Sequence, residues 1–322
     1  MITKLRILIP IFTVIGCLLI ILTGCPQNPE IDPPTLTTSE VIGITSNWAI
    51  SGGVITNDGG TDINERGVCW STTNPPSTDD QKSTAGIGSG EYTCKLNNLE
   101  GNTTYYISAY ASNSEYTGYG EVVTFSTPPM AIDVEGNEFP TVIIGTQTWM
   151  ARNLSITHYR NGDPITYIPV GESWGETESG EYCDYDLIGT LGGAYGYFYN
   201  WYVLSDSRGI CPDGWHVPSE QDWNVLIEYL GGMLEAGVKL RETGFSHWLK
   251  DVYEEATNES GFTALPAGMQ GDDHRGVDAR FWTSTTPDAN NAMYYGVAMG
   301  NQIFWANAGL SYGISVRLVK NQ

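Results

Sequence analysis

The sequence predicts a mostly β protein with some α: a small β-sandwich over residues 34–128 and a larger α+β domain over residues 131–322. Three observations predict it. Glycine supplies 38 of the 322 residues, well above the about 7% usual in globular chains, and such an excess belongs to tight turns and bulges. Short alternating apolar segments, punctuated by Gly, Asn, Asp and Pro, fill residues 34–128 with no helix-period run among them; about seven such strands in about 100 residues is a sandwich pattern. The remainder holds eight of the ten tryptophans and one stretch with the caps and periodicity of a helix.

Composition narrows the classes. The 37 acids against 15 bases give a net charge of −22, a field that repels a phosphate backbone, so nucleic acid is not an expected partner. Charged residues are only 16% and apolar ones 41%, which excludes a charge-extended disordered chain. Residues 1–24 read as an export signal: Lys4 and Arg6, an apolar run from Ile7 to Leu22, then Leu22-Thr23-Gly24-Cys25. The run is 16 residues, contains Pro10, and is short of the roughly 20 needed to span a bilayer. The alternative is a transmembrane anchor that happens to end in cysteine. The ending resembles the bacterial lipoprotein signal, which implies that Cys25 carries diacylglycerol through a thioether and becomes the mature N-terminus. Several acyl chains on one residue would anchor the protein firmly to a membrane. Pro26 follows and not aspartate, so inner-membrane retention is not signalled, and the outer membrane or cell surface of a bacterium is the expected location. Residues 25–33 form the tether. Loss of the signal removes two bases and no acid, leaving −24.

Beyond Cys17 and Cys25, four cysteines remain: Cys69 and Cys94 in the first region, Cys183 and Cys211 in the second. An even number in each, in an exported chain, predicts one disulfide per domain; four reduced, buried thiols are the alternative. No CxxC or His/Cys spacing points to zinc.

In the first module the expected strands are Val41–Ile44, Trp48–Ile55, Arg66–Ser71, Tyr92–Leu96, Thr104–Ala111 and Glu121–Phe125, with turns at Asn57-Asp58-Gly59-Gly60 and Leu99-Glu100-Gly101-Asn102. Trp48 and Trp70 are expected in its core. Leu96 to Tyr106, a leucine, a short turn and a threonine-tyrosine pair entering a strand, resembles the fibronectin type III module. Ser108–Asn113 and Tyr119–Phe125 continue the likeness. The resemblance implies a spacer or protein-binding platform. Pro128-Pro129 closes the module and stiffens a short linker, placing the boundary near residue 130.

The second domain opens on an expected hairpin, residues 132–139 and 141–150, with Asp-Val-Glu-Gly-Asn as turn. Ser219-Glu220-Gln221-Asp222 starts a helix through a capping-box arrangement. Trp223, Leu226, Ile227 and Leu230 make its apolar face, and Gly231-Gly232 ends it. A second short helix is expected near Leu234–Glu242, and strands at Phe281–Ser284 and Gly313–Val319.

Ile144–Leu154, Tyr159–Ile165, Tyr199–Tyr202, Cys211–Ser219, Asn258–Gly268 and Val316-Arg317 occur in this order. Together they resemble the Fibrobacter succinogenes major paralogous domain, whose members resemble a divergent C-type lectin fold and are generally of unknown biochemical function. The resemblance implies short helices on twisted antiparallel sheets with a long variable loop. The family usually ends in Val-Arg-Cys, but Leu318 stands at the cysteine position. A helix-to-last-strand disulfide is thereby ruled out, which leaves Cys183 as the partner expected for Cys211. The family's glycine-tyrosine-arginine is replaced by Gly268-Met269-Gln270, which puts any inherited role of that loop in doubt.

Candidate sites each carry a bland alternative. Asp272, Asp273, His274 and Asp278 lie in one loop, and Asp272, Asp273 and Asp278 are weak candidates for Ca²⁺; the loop lacks the alternating acids of a calcium loop and reads better as a solvated turn. No other metal and no cofactor is expected. Trp282 and Trp305 are candidates for stacking on a sugar, although strand-like surroundings favour core packing for both. His216 is expected to make a structural hydrogen bond. Glu254-Glu255 alone does not establish glycosidase geometry, and no Gly-Xaa-Ser-Xaa-Gly, phosphate loop or metalloprotease motif is present. Formylglycine generation, a related-fold chemistry, needs late cysteines, and none follows Cys211. The expected function is therefore a non-catalytic surface lipoprotein for binding or adhesion, presenting a glycan- or protein-binding loop on a sandwich spacer. A polysaccharide-active enzyme and a structural subunit of a surface layer or appendage are the alternatives.

Overall fold

The structure, a computed structural model, describes residues 30–171, 174, 178–185, 192–250, 255–271, 276–298 and 302–321. The first module contains β1 (Thr35–Thr38), β2 (Trp48–Asn57), β3 (Glu65–Ser71), β4 (Gln81–Thr84), β5 (Gly90–Asn97), β6 (Thr104–Ser112), β7 (Thr117–Tyr119) and β8 (Val123–Ser126). Antiparallel β1-β2-β5 faces a second sheet, β4-β3-β6-β7, with β8 also on β6. Side chains of both sheets, among them Ala49, Leu96, Val68, Trp70 and Ile107, fill one core. This is the arrangement of a β-sandwich. In β5 the alternation is strict, with Tyr92, Cys94 and Leu96 buried and their neighbours exposed. Trp48 departs from expectation. It is half-buried rather than core, with the Lys95 ammonium 4.3 Å above its ring. Val41–Ile44 makes only a bridge from Ile42 to Ile50.

The second part begins with two hairpins rather than one: β9 (Ala131–Ile132) with β10 (Glu138–Phe139), then β11 (Thr141–Ile144) with β12 (Gln147–Met150). Asp133 closes the first turn by accepting from the amides of Glu135 and Asn137. There follow β13 (Thr166–Tyr167), β14 (Glu181–Asp184), α1 (Gly192–Tyr195), β15 (Tyr197–Tyr199), α2 (Trp201–Ser205), β16 (Trp215–His216), α3 (Glu220–Tyr229) and α4 (Ala236–Leu240). The last strands are β17 (Ala279–Trp282), β18 (Asn291–Val297), β19 (Ile303–Gly309), β20 (Ile314–Ser315) and β21 (Val319–Lys320). Among the described residues no helix is long and apolar enough to cross a membrane.

Helix α3 forms as its sequence demands. The Ser219 hydroxyl accepts from the Asp222 amide, and the Asp222 carboxylate accepts from the Ser219 amide and hydroxyl. Trp223, Leu226 and Ile227 are buried, and Gly231 and Gly232 take positive φ beyond its end. Its apolar face packs with Phe281, Met293 and Tyr295 of a seven-stranded sheet ordered β13-β14-β15-β20-β17-β18-β19. A second cluster, including Tyr199, Trp282, Tyr294 and Val316, links this sheet to the segments around Leu154 and Tyr159.

The segment expected as one strand, Gly313–Val319, is divided. β20 joins β15 and β17, whereas β21 joins β12 and β16 of a separate four-stranded sheet. Arg317 sits between them, fully buried. Its guanidinium donates through Nε (3.1 Å) and Nη2 (2.6 Å) to Asn153 Oδ1, and through Nη1 to the carbonyls of Met150 and Phe262. The rings of Phe262 and Phe281 lie 4.3 and 5.5 Å from its central carbon. Burial pushes its pKa down to about 9, which still leaves it charged at neutral pH.

The two parts meet along a hydrogen-bonded seam. Ser46 donates its amide to Thr141 O (2.8 Å), and its hydroxyl oxygen accepts from the Thr141 amide (2.9 Å). Thr45 bridges Val142, and Thr45, Ser46 and Thr141 are fully buried. Glycine is required on one side of this seam. Gly261 has φ +73°, and a Cβ there would lie 2.9 Å from Val142 Cγ2 and 3.1 Å from Gly43 O.

Arg317→Ala is expected to destabilise the protein by about 3–5 kcal/mol, because it leaves Asn153 and two carbonyls unpaired around a new cavity. Asn153→Ala is expected to cost about 1–3 kcal/mol. Denaturant melts of the full chain check both, and an Arg317→Ala change below 1 kcal/mol would show that the guanidinium is not structural.

Candidate functional site

The residues nominated by the sequence separate in space. Asp272, Asp273 and His274, and Glu254 of the acidic pair, lie outside the described residues. Asp278 does not face solvent: it is buried and ion-paired to Arg280 at 2.9 Å. A carboxylate neutralised inside the fold is a poor cation ligand, so the candidate Ca²⁺ set loses the one member that can be placed. Among the described residues no group of three His, Cys, Asp or Glu side chains is arranged to hold a metal. Trp282 is fully buried, and its indole donates to Tyr199 O at 2.9 Å, which removes it as a sugar-stacking residue. Trp305 is the reverse, 55% exposed where core packing was favoured.

The expected disulfides are not formed: none of Cys69, Cys94, Cys183 and Cys211 is bridged. Strand alternation explains the first pair. Val68 and Trp70 point into the sandwich core, so Cys69 between them points to the other face, where its thiol meets Ser108 O. Cys94 belongs to the core and meets Ser83 O. Cys183 packs with Tyr185, Tyr195 and Phe198, whereas Cys211 packs against a different cluster beyond the sheet. Burial pushes the Cys69 thiol up to about 11 and the Cys211 thiol up to about 12, so neither is a thiolate nucleophile at neutral pH.

His216 is held as a structural residue. Its Nδ1 lies 2.6 Å from Asn321 Oδ1 and its Nε2 3.2 Å from the Asp222 carboxylate that caps α3. A cavity of about 600 Å³ on the sandwich is lined by Asp79, Asp80, Glu100, Trp70 and Tyr105. Asp80 is committed there to the Ser77 amide and hydroxyl, which hold its carboxyl below the usual value. A glycosidase requires one acid that keeps its proton, and Asp80 is not one. A second cavity, about 520 Å³ at the seam, is lined by Ile42, Ile143, Tyr229 and Leu230 with Glu40 and Glu259.

The most distinctive surface is β19. It terminates the seven-stranded sheet and runs in full antiparallel register with β18 from Val297↔Ile303 to Asn291↔Gly309. Gln302 O accepts from Ala298 N, and Ile303 N turns away to Met233 O (2.8 Å). Alternation along an antiparallel ladder then directs the amides and carbonyls of Trp305 and Asn307 outward, while Gly309 O accepts from Tyr312 N (3.0 Å). The strand reads Ile-Phe-Trp-Ala-Asn-Ala-Gly, without a charge or a proline. Trp305 projects on the α3 side beside Tyr295, whose ring stacks on Trp223 and whose hydroxyl donates to Asn224. Met233 and Leu234, both exposed, stand at the start of the strand. Sequence reasoning missed this edge, although a seven-residue uncharged strand bearing a tryptophan in a chain of −22 was a visible signal.

Residues 142–320 match the family model of the Fibrobacter succinogenes major domain, which is more than half of the chain. The chain belongs to this family. The match opens within β11 and closes within β21, so the Fibrobacter succinogenes major domain includes Arg317, α3 and β19 and leaves the sandwich outside. No curated protein matches the chain. Among solved structures, the chain is similar to a myokine structure at 17% identity and TM-score 0.24, over 30% of this chain and 99% of the other. It is also similar to the sensor domain of the anti-sigma factor RsgI4 of Pseudobacteroides cellulosolvens, at 17% identity and TM-score 0.24, covering 30% and 97%. The twitchin kinase region of C. elegans is similar at 10% identity and TM-score 0.23, covering 65% and 36%.

The cap of α3 in the Fibrobacter succinogenes major domain carries a pH dependence. Burial alone would raise Asp222, but Ser219 and His216 hold it below its ordinary 3.8. A depressed carboxylate stabilises the fold above the unfolded value, and the contribution is lost as pH falls through the folded one. Asp222→Asn is therefore expected to lower stability at pH 6 while making it less steep in pH below about 4, as read by denaturant midpoints across that range.

Proposed function

We propose that the chain is a non-catalytic surface lipoprotein whose Fibrobacter succinogenes major domain binds an extended segment of another surface protein. In this reading Cys25 carries the lipid and holds the chain at the bacterial outer membrane. The sandwich is a fibronectin type III-like spacer, and the larger domain is C-type lectin-like. The observation that carries the binding role is the outer edge of β19, which no strand among the described residues pairs. Such edges are normally blunted by lysine, proline or a bulge, because their outward amides and carbonyls pair with any strand that reaches them. Here the outward positions are Trp305 and Asn307, and Trp305 adds an aromatic anchor of the type that dominates interface energy. Strand addition of this kind takes its affinity from main-chain hydrogen bonds and its selectivity from neighbouring side-chain contacts. The same edge favours one second reading, a structural subunit of a surface layer or appendage, if the arriving strand belongs to another copy.

Two substitutions separate these roles from fold defects. Trp305→Lys places a charge on the edge, and Asn307→Pro removes an outward amide that β18 does not use. Cells carrying either variant are expected to lose adhesion to a protein-coated surface at unchanged display and melting temperature. Adhesion that survives both variants would refute the edge as the binding surface. Sedimentation velocity separates the readings: a monomer supports adhesion, and concentration-dependent assembly abolished by both variants supports the structural subunit. For the anchor, Cys25→Ala is expected to abolish globomycin-sensitive processing, and unchanged mobility would count against lipidation.

A further inference from the structure

The opposite end of the seven-stranded sheet carries a different surface. Tyr167 of β13 lies beside Tyr182 of β14, their ring centroids 5.4 Å apart, and Tyr182 lies 5.1 Å from Tyr197 of β15. Strand pairing puts Tyr182 opposite Tyr199, and Asp184 opposite Tyr197, so all of them share one face of the sheet while Cys183 and Phe198 occupy the other. Tyr199 roots the row: it is fully buried, with its hydroxyl between the amide and carbonyl of Ile156. Exposure then rises along the row, through half-buried Tyr197 and Tyr182 to Tyr167, which is 45% exposed.

Polar groups of two kinds border this row. The Asp184 carboxylate accepts from the Tyr167 hydroxyl at 2.8 Å. Glu135, from the turn between β9 and β10, accepts from the Thr157 amide and hydroxyl and lies 2.7 Å from His158 Nδ1. Thr157 follows Ile156, whose backbone holds the Tyr199 hydroxyl, which puts Glu135 at that end of the row. No described residue hydrogen-bonds the hydroxyls of Tyr182 or Tyr197, although both tyrosines are held in place by their neighbours. These phenols remain protonated donors at neutral pH, since burial followed by nearby anions raises both, Tyr182 to about 12.

We propose that this face is a binding site for neutral hexopyranoside chains, with Tyr167, Tyr182 and Tyr197 as the stacking strip and Asp184, Glu135 and the tyrosine hydroxyls as partners for sugar hydroxyls. A pyranose offers an apolar CH face and a rim of hydroxyls, and the site offers aromatic carbon with both donors and acceptors at its border. Amphipathic rings fixed at one end and wet at the other are suited to such contacts. The two carboxylates set the specificity: they accept from sugar hydroxyls and repel uronic or sulfated sugars. An alkylammonium ligand is the chemical competitor, because aromatic faces and carboxylates also attract cations. It is disfavoured by shape. The tyrosines lie in a row along one sheet face, so they flank a chain and do not enclose a small cation. The site is independent of β19, which lies at the other end of the sheet.

The test is titration calorimetry of the full chain with cello-, malto- and mannohexaose, with a polygalacturonate oligomer and with tetramethylammonium. At least one neutral hexaose is expected to bind saturably, and the uronate oligomer is not. Tyr167→Ala and Tyr197→Ala are each expected to weaken that binding about three- to tenfold. Asp184→Asn is expected to restore part of the affinity for the uronate oligomer while keeping the fold. Near-UV circular dichroism and melts of each variant establish that the fold is intact, and Tyr167→Phe serves as the ring-preserving control. Failure of every neutral hexaose to bind would overturn the proposal, as would full affinity in a folded Tyr167→Ala. Tetramethylammonium binding with the same variant sensitivity, in place of the sugars, would overturn the assignment of the ligand class.

Discussion

The fold depends on one buried cation. Arg317 is surrounded by neutral acceptors, Asn153 and the carbonyls of Met150 and Phe262, and by the faces of two phenylalanines. A guanidinium suits the position because its donors are set in a rigid planar fork and its charge is spread and weakly hydrated. A lysine would bring a compact, strongly hydrated charge to a place closed to solvent. The acceptors come from two parts of the domain: Met150 ends β12 and Asn153 lies in the loop just after it, whereas Phe262 lies before β17. Backbone pairing on either side completes the arrangement, since Val316 O accepts from Leu154 and Leu318 O from Met150. The break between β20 and β21 is therefore the route by which one side chain joins two sheets.

Around that centre the protein presents surfaces of opposite character. The β19 strand is uncharged, and among the described residues no strand lies beside its outer edge. The β13 end is aromatic and acidic. The core between them is closed on both faces by side chains from α3 and from the loops around Leu154, so the sheet acts as a rigid rib holding its ends apart. The seam at Thr45, Ser46 and Thr141 fixes the sandwich against β11 of the four-stranded sheet by buried hydrogen bonds. Attachment in this way fixes the orientation of the larger domain relative to the sandwich.

Much of the architecture was legible because it is written locally. Helix α3 follows from Ser219, Asp222 and four apolar residues, and β5 follows from alternation alone. Features decided by distant contacts were not. Val316-Arg317 stood out as a motif, yet nothing near it in the chain shows that Asn153 awaits the guanidinium. Even numbers of cysteines suggested bridges, but Cys69 and its neighbours alternate across a strand, and parity says nothing about which face a thiol takes. Trp282 and Trp305 have similar local sequences, and the sheet order alone decides that one is central and the other lies on an edge. Among the sugar-stacking candidates the aromatic reading fell on tryptophans, whereas the row of tyrosines required the pairing of β13, β14 and β15 to bring it together.

The position of Arg317 also governs the order in which the domain can form. Its bond to Asn153 spans 164 positions in the sequence, and strands from both sheets wait for residues 314–320. Contacts of such long range are slow to form because loop closure precedes any reward. Until residues 314–320 are in place, β15 and β17 lack β20, and β12 and β16 lack β21. The last residues of the family match are thus the ones that close both sheets.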